Sequence, residues 1–95
     1  MVTVLLPGVL RPKADDQATV KVDIPDPPTL AGVLDVIAEH YPALDRRLRD
    51  EKGQLRRYVN FYVDGEECRY LGGAAASVKP NSEIRILPSV AGGSR

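Results

Sequence analysis

The segment Pro25-Asp26-Pro27-Pro28 constrains the fold more than any other stretch of the chain. Its three prolines each lack a backbone donor and each hold φ close to a single value, so neither a strand ladder nor a helix runs through them. The residues before the segment alternate with a period of two, and those after it repeat with a helical period. Val2, Val4 and Leu6 alternate with Thr3 and Leu5 until Pro7-Gly8, and Val20, Val22 and Ile24 alternate with Thr19, Lys21 and Asp23. Both runs read as half-buried strands. The polar segment from Pro12 to Gln17 lies between them, which predicts an antiparallel hairpin. Beyond the prolines, Thr29 offers an N-cap, and Leu30, Val33, Leu34, Ile37, Ala38 and Tyr41 form one apolar stripe. Pro42 ends that helix, because the residue before a proline is pushed out of the α region.

Leu44 and Leu48 stand four residues apart and predict a short second helix, broken by Gly53. The run from Arg57 to Asp64 is rich in aromatic and β-branched residues, with Val59, Phe61 and Val63 on one face and Tyr58, Asn60 and Tyr62 on the other. Asp64-Gly65 is a tight-turn signal leading to a returning strand from Glu66 to Leu71. Pro80-Asn81 turns into a last strand, Glu83 to Leu87. A hairpin, a helix crossing its face and three further strands predict an α+β fold: a ubiquitin-like β-grasp with a mixed sheet and one main helix. Its domain would run from 1 to 87, with 88–95 as a flexible tail. The expected core is Val2, Val4, Leu6, Val20, Val22, Ile24, Leu30, Val33, Leu34, Ile37, Val59, Phe61, Val63, Ile84 and Ile86.

At 95 residues the chain has room for one core, which excludes a two-domain enzyme. Thirteen basic residues balance thirteen acidic ones, so no global field gathers nucleic acid or an anionic membrane, and neither is expected as a partner. The single Cys and single His leave no metal-ligand spacing and no local nucleophile and base. These residues give no catalytic pair, so the chain is not read as an enzyme. One Cys forms no internal disulfide, and no basic region precedes the N-terminal apolar run, which predicts a reducing cytoplasm. Cys68 reads as a packing residue, because Glu66 and Glu67 disfavour its thiolate. His40, at the helix end, reads as a solvent-facing or C-terminal capping residue. Arg46, Arg47, Arg49, Lys52, Arg56 and Arg57 would suit nucleic acid, or a solvated face or partner-docking surface. Interruption by Asp45, Asp50 and Glu51, with only Tyr58 nearby for stacking, favours the second alternative.

The pair Gly92-Gly93 ends a segment that lies beyond the last strand. Extended from Pro88 to Gly93, that segment would reach roughly 20 Å at about 3.4 Å per residue. Val90, Ala91 and Gly92 would thread a narrow channel, and Gly93, without a Cβ, would leave its carbonyl open to a nucleophile. A second pair, Gly72-Gly73, shows that Gly-Gly also serves ordinary turns. If Val4, Val59 and Ile84 point inward, then Leu5, Tyr58, Tyr62 and Leu87 lie on the outer sheet face near the root of the tail. That grouping predicts a docking patch.

The stretches TVLLPGVLRP, RRYVNFYVDGEECRYLGG and EIRILPSVAGG resemble the ubiquitin-like sulfur-carrier proteins of the MoaD/ThiS group, and within it the carriers of cysteine biosynthesis. The resemblance covers Val2 to Gly93. It implies that the Gly93 carboxylate is adenylated by an E1-like enzyme using ATP and then converted to a thiocarboxylate. The sulfur would pass to an acceptor synthase, with pyridoxal phosphate in that acceptor for the cysteine branch, or to thiosugar, molybdopterin or thiamin assembly. No cofactor would be bound by the carrier itself. Ser94-Arg95 depart from the pattern, so a peptidase would have to trim them. Two other readings stand beside it: a ubiquitin-like modifier conjugated to proteins through Gly93, and a β-grasp interaction module with an idle tail.

Overall fold

The computed structural model of the chain describes residues 1–88. The element order is β1 (Val2–Leu5), a 3-10 helix (Gly8–Ala14), β2 (Thr19–Val22), α1 (Leu30–His40), α2 (Pro42–Leu48), β3 (Val59–Val63), β4 (Glu66–Glu67), two more 3-10 turns (Cys68–Leu71 and Gly73–Ala75) and β5 (Glu83–Pro88). The strands form one five-stranded sheet in the order β2-β1-β5-β3-β4. Strands β1 and β2 make the expected antiparallel hairpin, with Val2 opposite Val22 and Val4 opposite Val20. The last strand enters the middle of the sheet, parallel to β1 and antiparallel to β3. Pro88 belongs to it and pairs with Val59, one residue beyond the expected boundary. A proline is tolerated there because the ladder is ending.

Helix α1 begins where the prolines release the chain. The Thr29 Oγ1 accepts a hydrogen bond of 3.1 Å from the Gly32 N–H, satisfying one of the donors that a helix start leaves free. Leu30, Val33, Leu34 and Ile37 are buried in one cluster with Val2, Val4, Phe61, Ile84 and Ile86 of the sheet. After Tyr41, Pro42 takes the first position of α2, where its missing N–H costs nothing. The Arg49 guanidinium, with only 12% of its side chain exposed, then binds Asp45 and Asp35 at 2.8 Å each, linking α2 to α1. Burial pulls its proton affinity down, but the hydrogen bonds to both carboxylates outweigh that and hold it above the ordinary value.

The expected core differs from the observed one at Ile24, which is 41% exposed. The β1–β2 ladder ends at the Val2–Val22 pair, so β1 has no residue left to oppose position 24, and alternation loses its meaning there. The interior also takes Leu10 and Ala14, Leu44 and Leu48, Cys68, Ala76 and Val78. Leu10 and Ala14 come from the 3-10 helix over Gly8–Ala14, which covers much of the segment expected to be a turn. The returning strand after Asp64-Gly65 is a correction as well. It lasts two residues, Glu66–Glu67, because the Glu67 carboxylate accepts from the Arg69 N–H and caps a 3-10 turn instead.

Gly32 shows how closely α1 sits against the proline segment. A Cβ there would lie 2.6 Å from the Pro27 carbonyl oxygen and 2.9 Å from the Pro25 Cβ, closer than atoms pack without displacement. Gly32→Ala should lower the unfolding free energy by about 1–2 kcal/mol in urea, overpacking outweighing the gain in helix propensity. Gly8→Ala, with nothing within 4 Å of the added methyl, should leave the urea midpoint nearly unchanged.

Candidate functional site

Because β5 lies between β1 and β3, three strands present one continuous outer face at the end of the described chain. Across it, Leu5 is opposite Arg85 and Arg85 opposite Tyr62, with Leu87 opposite Asn60 in the next row. Tyr62, Gly65, Glu83, Arg85 and Leu87 line a shallow hollow of about 270 Å³. The Arg85 guanidinium lies 3.7 Å from Glu83, both half-exposed, so this pairing is loose and screened. Leu87 is 41% exposed, while Leu5 and Tyr62 are half-buried. The structure therefore brings Tyr62 and Leu87 together and sets Leu5 across Arg85 from Tyr62. It does not bring Tyr58 to the same hollow. Tyr58 precedes β3 and lines a second depression with Asp50, Gln54, Leu55, Arg56 and Arg57. Val90, Ala91, Gly92, Gly93 and Ser94-Arg95 lie outside the described residues.

The opposite end of the sheet is closed by a clamp that sequence reading missed. Asp64 (φ 51°) and Gly65 (φ 88°) make the left-handed turn between β3 and β4, the geometry that Asp-Gly favours. Asp64 then reaches across to β5. Its Oδ2 accepts from the Ser82 hydroxyl at 2.8 Å and its Oδ1 from the Glu83 N–H at 2.9 Å. The Ser82 oxygen in turn accepts from the Lys79 N–H at 2.8 Å. Ser82 is the one buried polar side chain among the described residues, and these bonds satisfy it. An Asp-Gly pair signals the turn alone, because nothing local marks the strand that its carboxylate will meet.

His40 is exposed in the last turn of α1. Cys68 is buried, and burial, followed by the charge of Glu67, pushes its thiol above the ordinary value. Asp50 is held below the usual carboxylate value, chiefly by the hydrogen bond from the Gln54 N–H. Among the described residues no group of three or more His, Cys, Asp and Glu is placed to hold a metal ion, and no helix is long and apolar enough to cross a membrane. What this surface offers chemically is a strand end paired along β3 as far as Pro88, with β1 alongside only up to Arg85, next to one mixed hollow and one polar depression.

The model of the ThiS family matches residues 4–93. The chain belongs to the ThiS family. The match runs through Gly92-Gly93 and stops before Ser94-Arg95. Sulfur carrier protein CysO of Mycobacterium tuberculosis is 37% identical over 94 residues, 97% of this chain and 98% of that protein. The chain in the crystal structure of the Amycolatopsis orientalis BexX/CysO complex matches with a TM-score of 0.86 at 33% identity, covering 98% of this chain and all of that one. Small archaeal modifier protein 1 of Haloferax volcanii is 33% identical over 75 residues, 79% of this chain and 82% of that protein. The α+β, ubiquitin-like β-grasp read from the order of elements is thus the fold of a ThiS-family chain related to the CysO carriers.

The buried, raised thiol makes a prediction for this ThiS-family chain. Cys68 in the folded protein should react with 5,5′-dithiobis(2-nitrobenzoate) at pH 8 at least about a hundredfold more slowly than in urea, because both burial and a suppressed thiolate oppose attack. Rapid labelling of the folded chain would show that the thiol is accessible after all.

Proposed function

We propose that this chain is a sulfur carrier whose working group is the Gly93 carboxylate, freed when Ser94-Arg95 are removed by a peptidase. The observation that carries the reading is the extent of the family match, which spans the folded domain and ends on the Gly-Gly pair. Adenylation by an E1-like enzyme would join the carboxylate to the α-phosphate of ATP and release pyrophosphate. Sulfide supplied at that enzyme would then attack the Gly93 carbonyl, so that the C–S bond forms as the C–O bond to AMP breaks and the product is the thiocarboxylate. The carrier contributes no proton-transfer group to these steps. Its part is a narrow tail on a firm root, together with the Tyr62–Leu87 hollow, with Leu5 nearby and Tyr58 alongside, as a docking surface.

The acceptor would be a synthase that takes sulfur from the thiocarboxylate. The kinship with CysO favours cysteine formation on a pyridoxal-phosphate enzyme, and the BexX/CysO complex of Amycolatopsis orientalis favours a chain that works by pairing with another protein. A modifier role, with Gly93 joined to lysines of target proteins, draws on the likeness to small archaeal modifier protein 1 and needs the same adenylation. ATP and pyridoxal phosphate would belong to the partners, and the whole cycle suits the cytoplasm.

With Ser94-Arg95 in place, the Gly93 carbonyl is an amide and cannot be adenylated. A purified activating enzyme with ATP should release pyrophosphate with the chain ending at Gly93 and not with the full-length chain. Equal release from both, without trimming seen by mass, would overturn the assignment of Gly93. In the chain ending at Gly93, Gly93→Val should abolish thiocarboxylate formation and leave the melting temperature unchanged. Replacing Tyr62 and Leu87 together with Ser should weaken binding to the activating enzyme by about 2–4 kcal/mol, as loss of buried anchors does, with little loss of thermal stability.

A further inference from the structure

The formal charge of zero conceals an uneven distribution. The Arg56 Nε donates to the Arg46 carbonyl at 2.8 Å, and the Arg69 Nη2 donates to the Arg57 carbonyl at 2.9 Å. These two bonds lay arginines of α2, the loop before β3 and the turn after β4 side by side. Arg46, Arg47 and Arg57 are exposed, and among the described residues none of the three forms an ion pair. Of the acids nearby in sequence or space, Glu51 is exposed, and Asp45, Asp50 and Glu67 have partners of their own. Asp45 is spent on Arg49, Glu67 on Arg69, and the Asp50 Oδ1 accepts from the Lys52 and Gln54 N–H groups. Asp64, Glu66 and Glu83 sit at the far end of β3 and β5, where Val63 pairs with Glu66 and Ile84.

Position decides what such a row can do. Arg57 precedes by two residues Val59, which pairs with Pro88, the last described residue of β5. Arg57 therefore borders the last described residue of β5, and the Arg56–Arg46 bond brings the end of α2 to the segment just before it; an enzyme that takes the chain up to that strand comes close to them. Tyr58 (51% exposed) follows Arg57 in sequence, and Arg and Tyr are both enriched at protein interfaces. Arg49 is not available, because its charge is consumed inside the fold. We propose that the row of Arg46, Arg47 and Arg57 is a docking surface for an acidic protein rim, the rim of the enzyme site that takes the tail. The proposal rests on the carrier reading and names the charge of the partner. Unpaired rim charges act mainly on encounter: they accelerate association, and salt screens them.

The test takes an activating enzyme chosen because it releases pyrophosphate with the wild-type chain ending at Gly93, so the carrier reading stands or falls at that step. Association rates are then compared for that chain and the triple variant Arg46→Gln, Arg47→Gln, Arg57→Gln. In low salt, about 50 mM, the variant should associate about tenfold more slowly, and the difference should vanish near 500 mM, where the screening length falls to a few ångströms. The melting temperatures should agree, and the corresponding triple Lys variant should keep most of the rate. Equal rates at low salt would overturn the proposal, as would a deficit that persists undiminished in high salt. A wild-type chain that binds a 20-nucleotide single-stranded DNA more tightly than the enzyme, with binding lost in the Gln variant, would assign the row to nucleic acid instead.

Discussion

The pairing of β5 in the middle of the sheet is the interaction on which the rest of the molecule depends. Without it the β1–β2 hairpin and the β3–β4 hairpin share no ladder. With it, Val4 meets Ile84 on one side, and Phe61 meets Ile86 on the other. Ile84 and Ile86 are fully buried, so the last strand also brings two large side chains to the centre of the core. At about 25 cal/mol per Å² of apolar surface, each such side chain contributes on the order of 2–3 kcal/mol. These contacts join residues near opposite ends of the chain, which makes closure dependent on bringing distant segments together. The same pairing sets the local geometry: β5 has β1 on one side as far as Arg85 and β3 on the other as far as Pro88, the last described residue.

Two polar clamps fix the ends of that arrangement. Asp64 binds Ser82 and Glu83 where β3 and β5 meet β4, while Arg49 binds Asp35 and Asp45 across the two helices. In the second the Arg49 side chain is only 12% exposed but its partner Asp35 is 69% exposed, so the arm to Asp45, 21% exposed, is the less screened of the two. The second also removes one arginine from the surface and positions the segment after it. The Arg56 N–H reaches the Leu48 carbonyl at 3.0 Å, and residues 46 and 56 come into register from there. The exposed arginines near the end of β5 are thus placed with the help of one that is itself largely buried.

The outer face is less apolar than its sequence suggests. Leu5, Tyr62 and Leu87 share it, but Arg85 stands between Leu5 and Tyr62 and lies against Glu83. Mixed faces of this sort keep a small carrier soluble between encounters and still offer apolar contact when water is excluded. Under the proposed carrier role, release would matter as much as capture. Rim charges that hasten association without deep burial suit that traffic.

Much of the fold is readable in the sequence because its signals are local. Pro25 to Pro28 separate two periodicities, Thr29 caps the helix beyond them, and Asp64-Gly65 can hardly avoid a left-handed turn. The alternation of Val59, Phe61 and Val63 and of Ile84 and Ile86 identifies the inner face without any knowledge of neighbours, since side chains alternate on any strand. The Gly-Gly pair that carries the functional reading is likewise visible as sequence. Ile24 departs from its pattern because alternation says nothing about where a partner strand runs out, and Glu66 to Leu71 departs because a carboxylate caps a turn that the residues alone do not announce. Leu10 and Ala14 enter the core through a 3-10 helix whose sequence, with Pro12 inside it, reads as a turn. The placing of Asp64 against Ser82, of Arg49 between two carboxylates and of Arg46 beside Arg57 belongs to the tertiary structure alone. The first depends on β5 standing beside β3, and the other two on how α1, α2 and the segment before β3 pack, while the composition, balanced in charge, holds no trace of where those charges gather.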